Sequence, residues 1–254
     1  MNIAVALRLM PNPGDELELD GADIDREYVE MVMNEFDDQA LEEAVLIKEA
    51  TGATVTAVGL RAEGIEQALR VAYARGADRV VMVDAGELDP YDTRTASLAF
   101  AQAFRELQPD LVLTGVQTPT DVFGQGAPYL AAALDWPQAN VVDGVEVVDG
   151  SAHVTQEYAG GRLAVLGLEL PAVVGMQSAS SPPRYVSMAR LRQAMTEASA
   201  ETLTVDVPAP ARASKIDALA RPEQTAGAKM LEGDSEELAT QIAALLREQG
   251  ALVS

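Results

Sequence analysis

Four short apolar runs alternate with four segments of helical period over the first half of the chain, and this rhythm restricts the fold more than any other feature. Asn2-Ile-Ala-Val-Ala-Leu7, Thr54-Val-Thr-Ala-Val58, Arg79-Val-Val-Met-Val83 and Asp110-Leu-Val-Leu-Thr114 read as strands. Asn34 to Ala50, Ile65 to Arg75, Thr93 to Leu107 and Ala127 to Leu134 read as helices. In the first of these, Leu41, Ala44, Val45 and Lys48 recur at helical spacing, Asn34 or Asp37 is placed to cap the start, and Gly52 lies past the end. Gly76 stops the second. The alternation predicts an α/β fold, a parallel sheet with helices on both faces. Ligands in such sheets sit beyond the strand carboxyl ends, where the strand order reverses. With the first strand beside the fourth, Ala6 and the loop after Thr114 face one another across that crevice.

The loop runs Gly115-Val-Gln-Thr-Pro-Thr-Asp-Val-Phe-Gly-Gln-Gly126 and opens into a helix. Backbone N–H groups near Gly124 to Gly126, at the positive end of a helix dipole, suit a phosphate. Gly124-Gln-Gly126 lacks the third glycine of the dinucleotide fingerprint, so the loop alone reads equally as an ordinary α/β connection.

After Leu134-Asp-Trp-Pro-Gln138 the texture changes. Val141 to Val148, Ala152 to Tyr158 and Arg162 to Leu170 read as β segments joined by Asp149-Gly150 and Gly160-Gly161, both hairpin-type pairs, so a small antiparallel extension is expected. Pro171 to Met176 is another strand and Met188 to Met195 a short helix. Asp206 to Thr225 has no clear period and reads as an arm, and Ser235 to Gln249 is an amphipathic helix with Leu238, Ile242, Leu245 and Leu246 on one face. The expected division is a nucleotide-binding α/β domain over residues 1–186 and a docking helix with a C-terminal arm over 187–254.

Composition removes several chemistries. Cysteine is absent and His153 is the only histidine, which excludes disulfides, thiol nucleophiles and Cys/His zinc clusters. A Ser-His-Asp triad would have to use His153, which sits in the alternating stretch Ser151-Ala-His-Val-Thr155 of an ordinary strand. The 40 acidic residues against 18 basic ones give a formal charge of −22, a surface that repels nucleic-acid backbones. The same balance fits either a salt-adapted or a merely acidic protein. No apolar run is long enough for a membrane span and Met1-Asn-Ile-Ala-Val-Ala-Leu7 lacks a basic leader, so a cytoplasmic location is expected.

Ordered landmarks then give the chain a family resemblance. They are Asn34-Glu-Phe-Asp-Asp-Gln-Ala-Leu-Glu-Glu-Ala44, Ala74-Arg-Gly-Ala-Asp78, Leu111-Val-Leu-Thr-Gly115, Leu134-Asp-Trp-Pro-Gln138, Gly160-Gly161, Pro171-Ala-Val-Val174, Pro183-Arg-Tyr185 and Thr225-Ala-Gly-Ala-Lys229. In order and spacing they resemble the beta (small) subunit of electron-transfer flavoproteins. The resemblance implies a Rossmann-like sheet of the adenine nucleotide alpha hydrolase type. It also implies a heterodimer with a flavin-carrying alpha subunit, which shuttles electrons from acyl-CoA or other dehydrogenases to a quinone oxidoreductase or another acceptor. In that family the beta subunit holds AMP, usually structural, and helps hold the FAD of the alpha subunit; a bifurcating branch carries a second FAD in place of AMP.

Carried onto this chain, the nucleotide contacts implied are Ala6, then Asn34, Glu35, Phe36 and Asp37, then Leu60, and the loop residues Gly115, Val116, Gln117, Thr118, Pro119, Thr120, Asp121, Val122, Phe123, Gly124, Gln125 and Gly126. Small Ala6 would admit an adenine ring to the sheet edge, and Asn34 and Gln117 offer paired donors and acceptors. The loop departs from the family in placing Val122 and Phe123 where a polar pair is common. Phe123 suits either stacking on a ring or packing of the loop. Glu157 matches a glutamate that pairs with an alpha-subunit arginine near the flavin, and otherwise reads as a strand-surface glutamate. Pro183-Arg184-Tyr185 leads to Met188, which matches the apolar anchor of a loop that docks on partner dehydrogenases. The alternative for Met188 is a core-facing helix shared with Leu191. An electron carrier needs no acid, base or nucleophile from this chain. The rival from another class is a stand-alone adenine-nucleotide sensor of universal-stress type, against which the β extension and the arm both speak.

Overall fold

The computed structural model describes the chain except for residues 13–17, 21–22, 26–28, 87, 89–91, 120, 122, 208–217, 222–227, 229 and 252–254. Its elements in chain order are β1 (Asn2–Leu7), β2 (Leu9–Pro11), β3 (Leu19–Asp20), β4 (Asp23–Ile24), β5 (Met31–Met33), α1 (Glu35–Thr51), β6 (Thr54–Leu60), α2 (Ile65–Arg75), β7 (Arg79–Asp84), α3 (Thr93–Leu107), β8 (Leu111–Gly115) and α4 (Gly126–Leu134). They continue with β9 (Gln138–Val148), β10 (Ser151–Tyr158), β11 (Arg162–Glu169), β12 (Ala172–Met176), α5 (Met188–Glu197), β13 (Glu201–Thr204) and α6 (Ser235–Glu248). Residues Met1–Ala218 form one compact unit and Leu219–Ser254 another.

Strand order in the main sheet is β11-β10-β9-β12-β8-β1-β6-β7-β13. β1 pairs in parallel with both β6 and β8, so the predicted neighbourhood of first and fourth strands is present. The chain builds outward from β1 through α1, β6, α2 and β7, then α3 carries it back to β8 on the other side of β1. That reversal puts α1 and α2 on one face and α3 and α4 on the other, as right-handed crossovers require. Side chains of β1 divide accordingly: Ile3, Val5 and Leu7 join the core under α1 and α2, and Ala4 and Ala6 the core under α3 and α4. Strands buried on both faces read as unbroken apolar runs, which is why the sequence marks them clearly.

The β extension forms as expected. β9, β10 and β11 are antiparallel, and positive φ at Asp149 and Gly150 (50° and 81°) and at Gly160 and Gly161 (79° and 71°) makes the two tight turns. β9 serves two partners. Gln138 to Asn140 pair in parallel with β12, and from Val142 onward the strand pairs antiparallel with β10. Val141 bulges between the two at φ 61°, a conformation costly for a β-branched residue.

The structure departs from the sequence reading in several places, among them a β3–β4 antiparallel pair and a β9 that starts at Gln138. β13, whose residues Glu201-Thr-Leu-Thr204 carry little apolar signal, adds to the sheet edge by parallel pairing with β7. β2 and β5 form a small antiparallel pair after β1. Helix α5 runs two residues past Met195, to Glu197. Most of the arm expected over 206–225, and most of the landmark over 225–229, lie outside the described residues. In the second unit, α6 begins at a capping box in which Asp234 accepts from Glu236 and Glu237 N–H while the Glu237 carboxylate accepts from Asp234 N–H. His153 lies on an exposed strand position between Glu146 of β9 and Gly167 of β11.

Candidate functional site

A cavity of about 690 Å³ opens beyond the carboxyl ends of β8, β1, β6 and β7, within the size range of small-molecule sites. Thr114, Ala6, Leu7, Leu60 and Asp84 line it from the strand ends; Thr93, Ala96, Ser97 and Phe100 of α3, with Gly126 and Leu130 of α4, line it from the helices. More of its wall is apolar than polar. It lies at the reversal of strand order, where the topology of a parallel sheet leaves a crevice.

The floor beside β1 is held by a fully buried carboxylate. Asp37, in the first turn of α1, accepts at Oδ2 from Arg8 N (2.7 Å) and Nε (3.2 Å), and at Oδ1 from Arg8 Nη2 (2.8 Å) and Gly115 N (2.8 Å). Arg8 Nη2 also donates to Gly115 O at 3.0 Å. One side chain thus ties the end of β1 to the end of β8 and aims the guanidinium of Arg8 along the cavity wall, which Arg8 lines. Gly115 is required here: a β-carbon would come within 2.5 Å of Asp37 Oδ1 and 2.6 Å of the Phe36 backbone.

The glycine loop is organised by Asp121. Its carboxylate is buried and accepts from Gln125 N (3.1 Å) and Gly126 N (2.9 Å), and its carbonyl accepts from Gly124 N (3.0 Å). The three amides that the sequence reading offers to a phosphate therefore already have an acceptor within the protein. Thr118 is buried and lines the cavity, Val116 is buried, and Gln117, Pro119, Gln125 and Phe123 are exposed. Phe123 is 85% exposed, so it does not pack the loop. Thr120 and Val122 lie outside the described residues. Gly124, at φ 61°, donates to Asp121 and accepts from Asn140 Nδ2 (3.1 Å), which links the loop to β9.

Of the other anticipated nucleotide residues, Ala6 and Leu60 line the cavity, Glu35 is exposed and Phe36 half-buried. Asn34 is fully buried; its Nδ2 donates to Gln117 O (3.0 Å), and its Oδ1 has no hydrogen-bond partner among the described residues. A buried amide oxygen without a donor is rare in folded proteins.

Arg8, Arg61, Glu63, Asp84, Thr93 and Ser97 line the cavity without belonging to any motif in the sequence. Each stands near a strand end or a helix start, and that position is the signal that would have found them. Arg61 pairs with Asp84 at 3.1 Å, half-exposed, at the β6 and β7 end.

The anticipated docking residues gather elsewhere, after β12. There α1 holds a segment without regular structure. Gln39 accepts from Ala179 N (3.0 Å), Glu43 from Ser180 N (2.8 Å), Ser180 Oγ (2.9 Å) and Val145 N (2.6 Å), and Glu42 from Arg184 N (2.9 Å) and Nε (2.8 Å). Arg184 also clasps Glu49 at 2.6 Å and 3.1 Å. Hydrogen bonding from Arg184 lowers the Glu49 pKa, and hydrogen bonding to Glu49 and then Glu42 raises that of Arg184. Arg184 is thus turned inward, while Tyr185 and Met188 are 87% and 57% exposed. Only Ala194 of α5 is buried, so Met188 is not part of a core-facing stripe. Glu157 is exposed on β10 and accepts from Gln177 Nε2 at 2.7 Å.

Comparison with known proteins agrees on one family. The profile described as electron transfer flavoprotein domain matches residues 22–210. An electron transfer flavoprotein subunit beta from Methylophilus methylotrophus is 30% identical over 98% of both chains. One from Dictyostelium discoideum is 36% identical over 74% of this chain and 73% of its own, and one from Bacillus subtilis (strain 168) 28% identical over 100% of each.

Proposed function

Because the chain belongs to the electron transfer flavoprotein family and matches its beta subunits, we propose that the cavity beyond β8, β1, β6 and β7 holds the adenylate of a heterodimeric electron carrier. The observation that carries this reading is the open crevice at the strand-order reversal, with Ala6, Leu60, Thr118 and Gly126 on its walls. Its largely apolar wall suits a purine, and its hydroxyl and guanidinium groups suit a sugar phosphate. AMP is the ligand favoured, bound as a structural element.

The partner is a flavin-carrying alpha subunit, and FAD shared with it supplies the redox chemistry when bound. This chain scaffolds that site. Glu157, exposed on the extension, is placed to meet an alpha-subunit arginine, a pair weak enough to break when the flavin domain moves. Tyr185 and Met188, presented by the segment that Arg184 fastens to α1, form an apolar anchor for donor dehydrogenases, acyl-CoA dehydrogenases among them, with residues 187–254 contributing to docking. Electrons then pass to a quinone oxidoreductase or another acceptor.

Co-expression with the alpha subunit, followed by mass spectrometry of the released nucleotides, tests the reading. One FAD and one AMP per heterodimer is the expected result. Two FAD molecules would put a second flavin nucleotide in this cavity, and one FAD with no second adenine nucleotide would overturn the adenylate assignment.

A further inference from the structure

We propose that the β2–β5 ribbon is a hinged cover over the cavity, and that the bound nucleotide enters and leaves when the ribbon lifts. The inference rests on the adenylate reading and adds to it a route. Two residues of the ribbon, Leu9 and Met31, line the cavity. Opposed residues of an antiparallel pair share a face, as do alternate residues along each strand. The register of Leu9 with Met33 and Pro11 with Met31 therefore gathers four apolar side chains on one side of the ribbon, and Met10 and Val32 take the other.

The base of the ribbon is pinned. Asn34 N donates to Arg8 O at 3.0 Å, Arg8 is bound by Asp37, and Asn34 Nδ2 donates to Gln117 O. Beyond that base, among the described residues, β2 and β5 pair with each other and with no strand of the main sheet. A ribbon of two strands is marginal by itself, so its position depends on what it rests against. Its seat is the start of α2. Gly64 stands there at φ 83°, and a β-carbon on it would lie 3.5 Å from Leu9 Cδ1, 3.8 Å from Met31 O and 3.9 Å from Met31 Cβ. Leu9 and Met33 also pack against the core, so the resting position is closed. Other walls are tied more firmly. The strand ends belong to the nine-stranded sheet, Phe100 and Leu130 fix α3 and α4 in the core, and Arg61 N donates to Val83 O (2.8 Å) while its guanidinium holds Asp84. Leu88, which lines the cavity after β7, packs against the core under α3 and α4. Lifting the ribbon exposes a few apolar side chains and breaks no pairing in the main sheet, which makes it a less costly opening than shifting a strand or a helix.

A cysteine pair tests the cover, because the chain has no cysteine of its own. The 3.9 Å between Met31 Cβ and a β-carbon at residue 64 lies inside the disulfide range, so Met31→Cys with Gly64→Cys should bridge ribbon and seat. The full chain is loaded with radiolabelled AMP, oxidised, and chased with unlabelled AMP with and without dithiothreitol. Release should be about tenfold or more slower in the bridged form and recover on reduction. Equal release from the bridged and reduced forms overturns the cover. A cysteine at the positive φ of residue 64 is strained, so Met33→Ala serves if the pair does not fold: it loosens the ribbon from the core at a residue outside the cavity lining. One opening governs both entry and exit, so this variant should raise both rates by about tenfold and leave the AMP Kd within about threefold. Faster exit alone with a weaker Kd, or acceleration by Leu88→Ala while Met33→Ala keeps the wild-type rates, overturns the ribbon as the route. Failure of the wild type to take up AMP overturns the adenylate reading itself, whereas the other outcomes leave that reading standing and judge the ribbon alone.

Discussion

Substituting Asp37→Asn alone should unfasten the floor of the cavity. Each carboxylate oxygen takes two donors, at 2.7 Å and 3.2 Å on Oδ2 and 2.8 Å and 2.8 Å on Oδ1. Asparagine offers one oxygen, so in either orientation its NH₂ group faces two N–H donors at hydrogen-bond distance. Two donors lose their acceptor, and the guanidinium of Arg8 loses its counter-charge. Breaking a fully buried pair costs about 3–5 kcal/mol, and because Arg8 borders the cavity we expect the lower end, about 3 kcal/mol. For a chain of this length that corresponds to a fall in Tm of about 6–12 °C. Urea unfolding followed by the fluorescence of Trp136, the single tryptophan, which packs against the core under α3 and α4, reads the change directly. Adding Arg8→Gln should recover part of the loss, because the pair is then absent on both sides. A loss below about 1 kcal/mol, or a double variant as destabilised as the sum of the singles, would refute the account of Asp37 as a buried charge partner.

Three further outcomes are expected. Gly115→Ala forces a methyl group against Asp37 Oδ1 and the Phe36 backbone, and should lower stability by about 1–3 kcal/mol or more, seen as a lower Tm. Glu43→Ala strips the acceptor from Val145 N and Ser180 N, and should cost about 2–5 kcal/mol, with faster amide exchange confined first to the segment after β12; unchanged exchange there would count against its anchoring role. The Arg184 clasp should loosen in acid. Its folded-state effect is to hold the Glu49 pKa below 4.5, so the contribution is complete above the unfolded carboxyl range and is lost as pH falls through the folded value; protease cleavage near Tyr185 should rise there, and Glu49→Gln should erase that rise.

The strand and helix rhythm was legible because its physics is local. Ile65, Ala68, Leu69 and Ala72 repeat on one face of α2 and Gly76 stops it at φ 132°, so the helix ends where the residues say it should. β13 was not legible, since Leu203 is its one large apolar residue and its pairing with β7 comes from over a hundred residues away. The buried acids were equally hidden. Asp37, Glu42 and Glu43 look like the solvated face of α1, and donors from Arg8, Gly115, Val145, Ser180 and Arg184, distant in sequence, offset the cost of their burial. The crevice followed from strand order, but its polar walls are drawn from the ends of separate elements and form no contiguous motif. Asp121 is a partial exception: an acidic residue one turn ahead of a helix is a recognisable cap, and reading it so would have withdrawn the loop amides from the phosphate.

The turns that close the extension have a use for whoever modifies this molecule. Among the described residues nothing lies within 4 Å of the β-carbon positions of Gly150, Gly160 and Gly161. A lineage can lengthen the Asp149-Gly150 tip, and an engineer can splice a reporter peptide into it, while the strands beneath keep their pairing. The joint at Val141 then acts as a fixed elbow, separating what is free to diverge from the part of the sheet that must keep its shape.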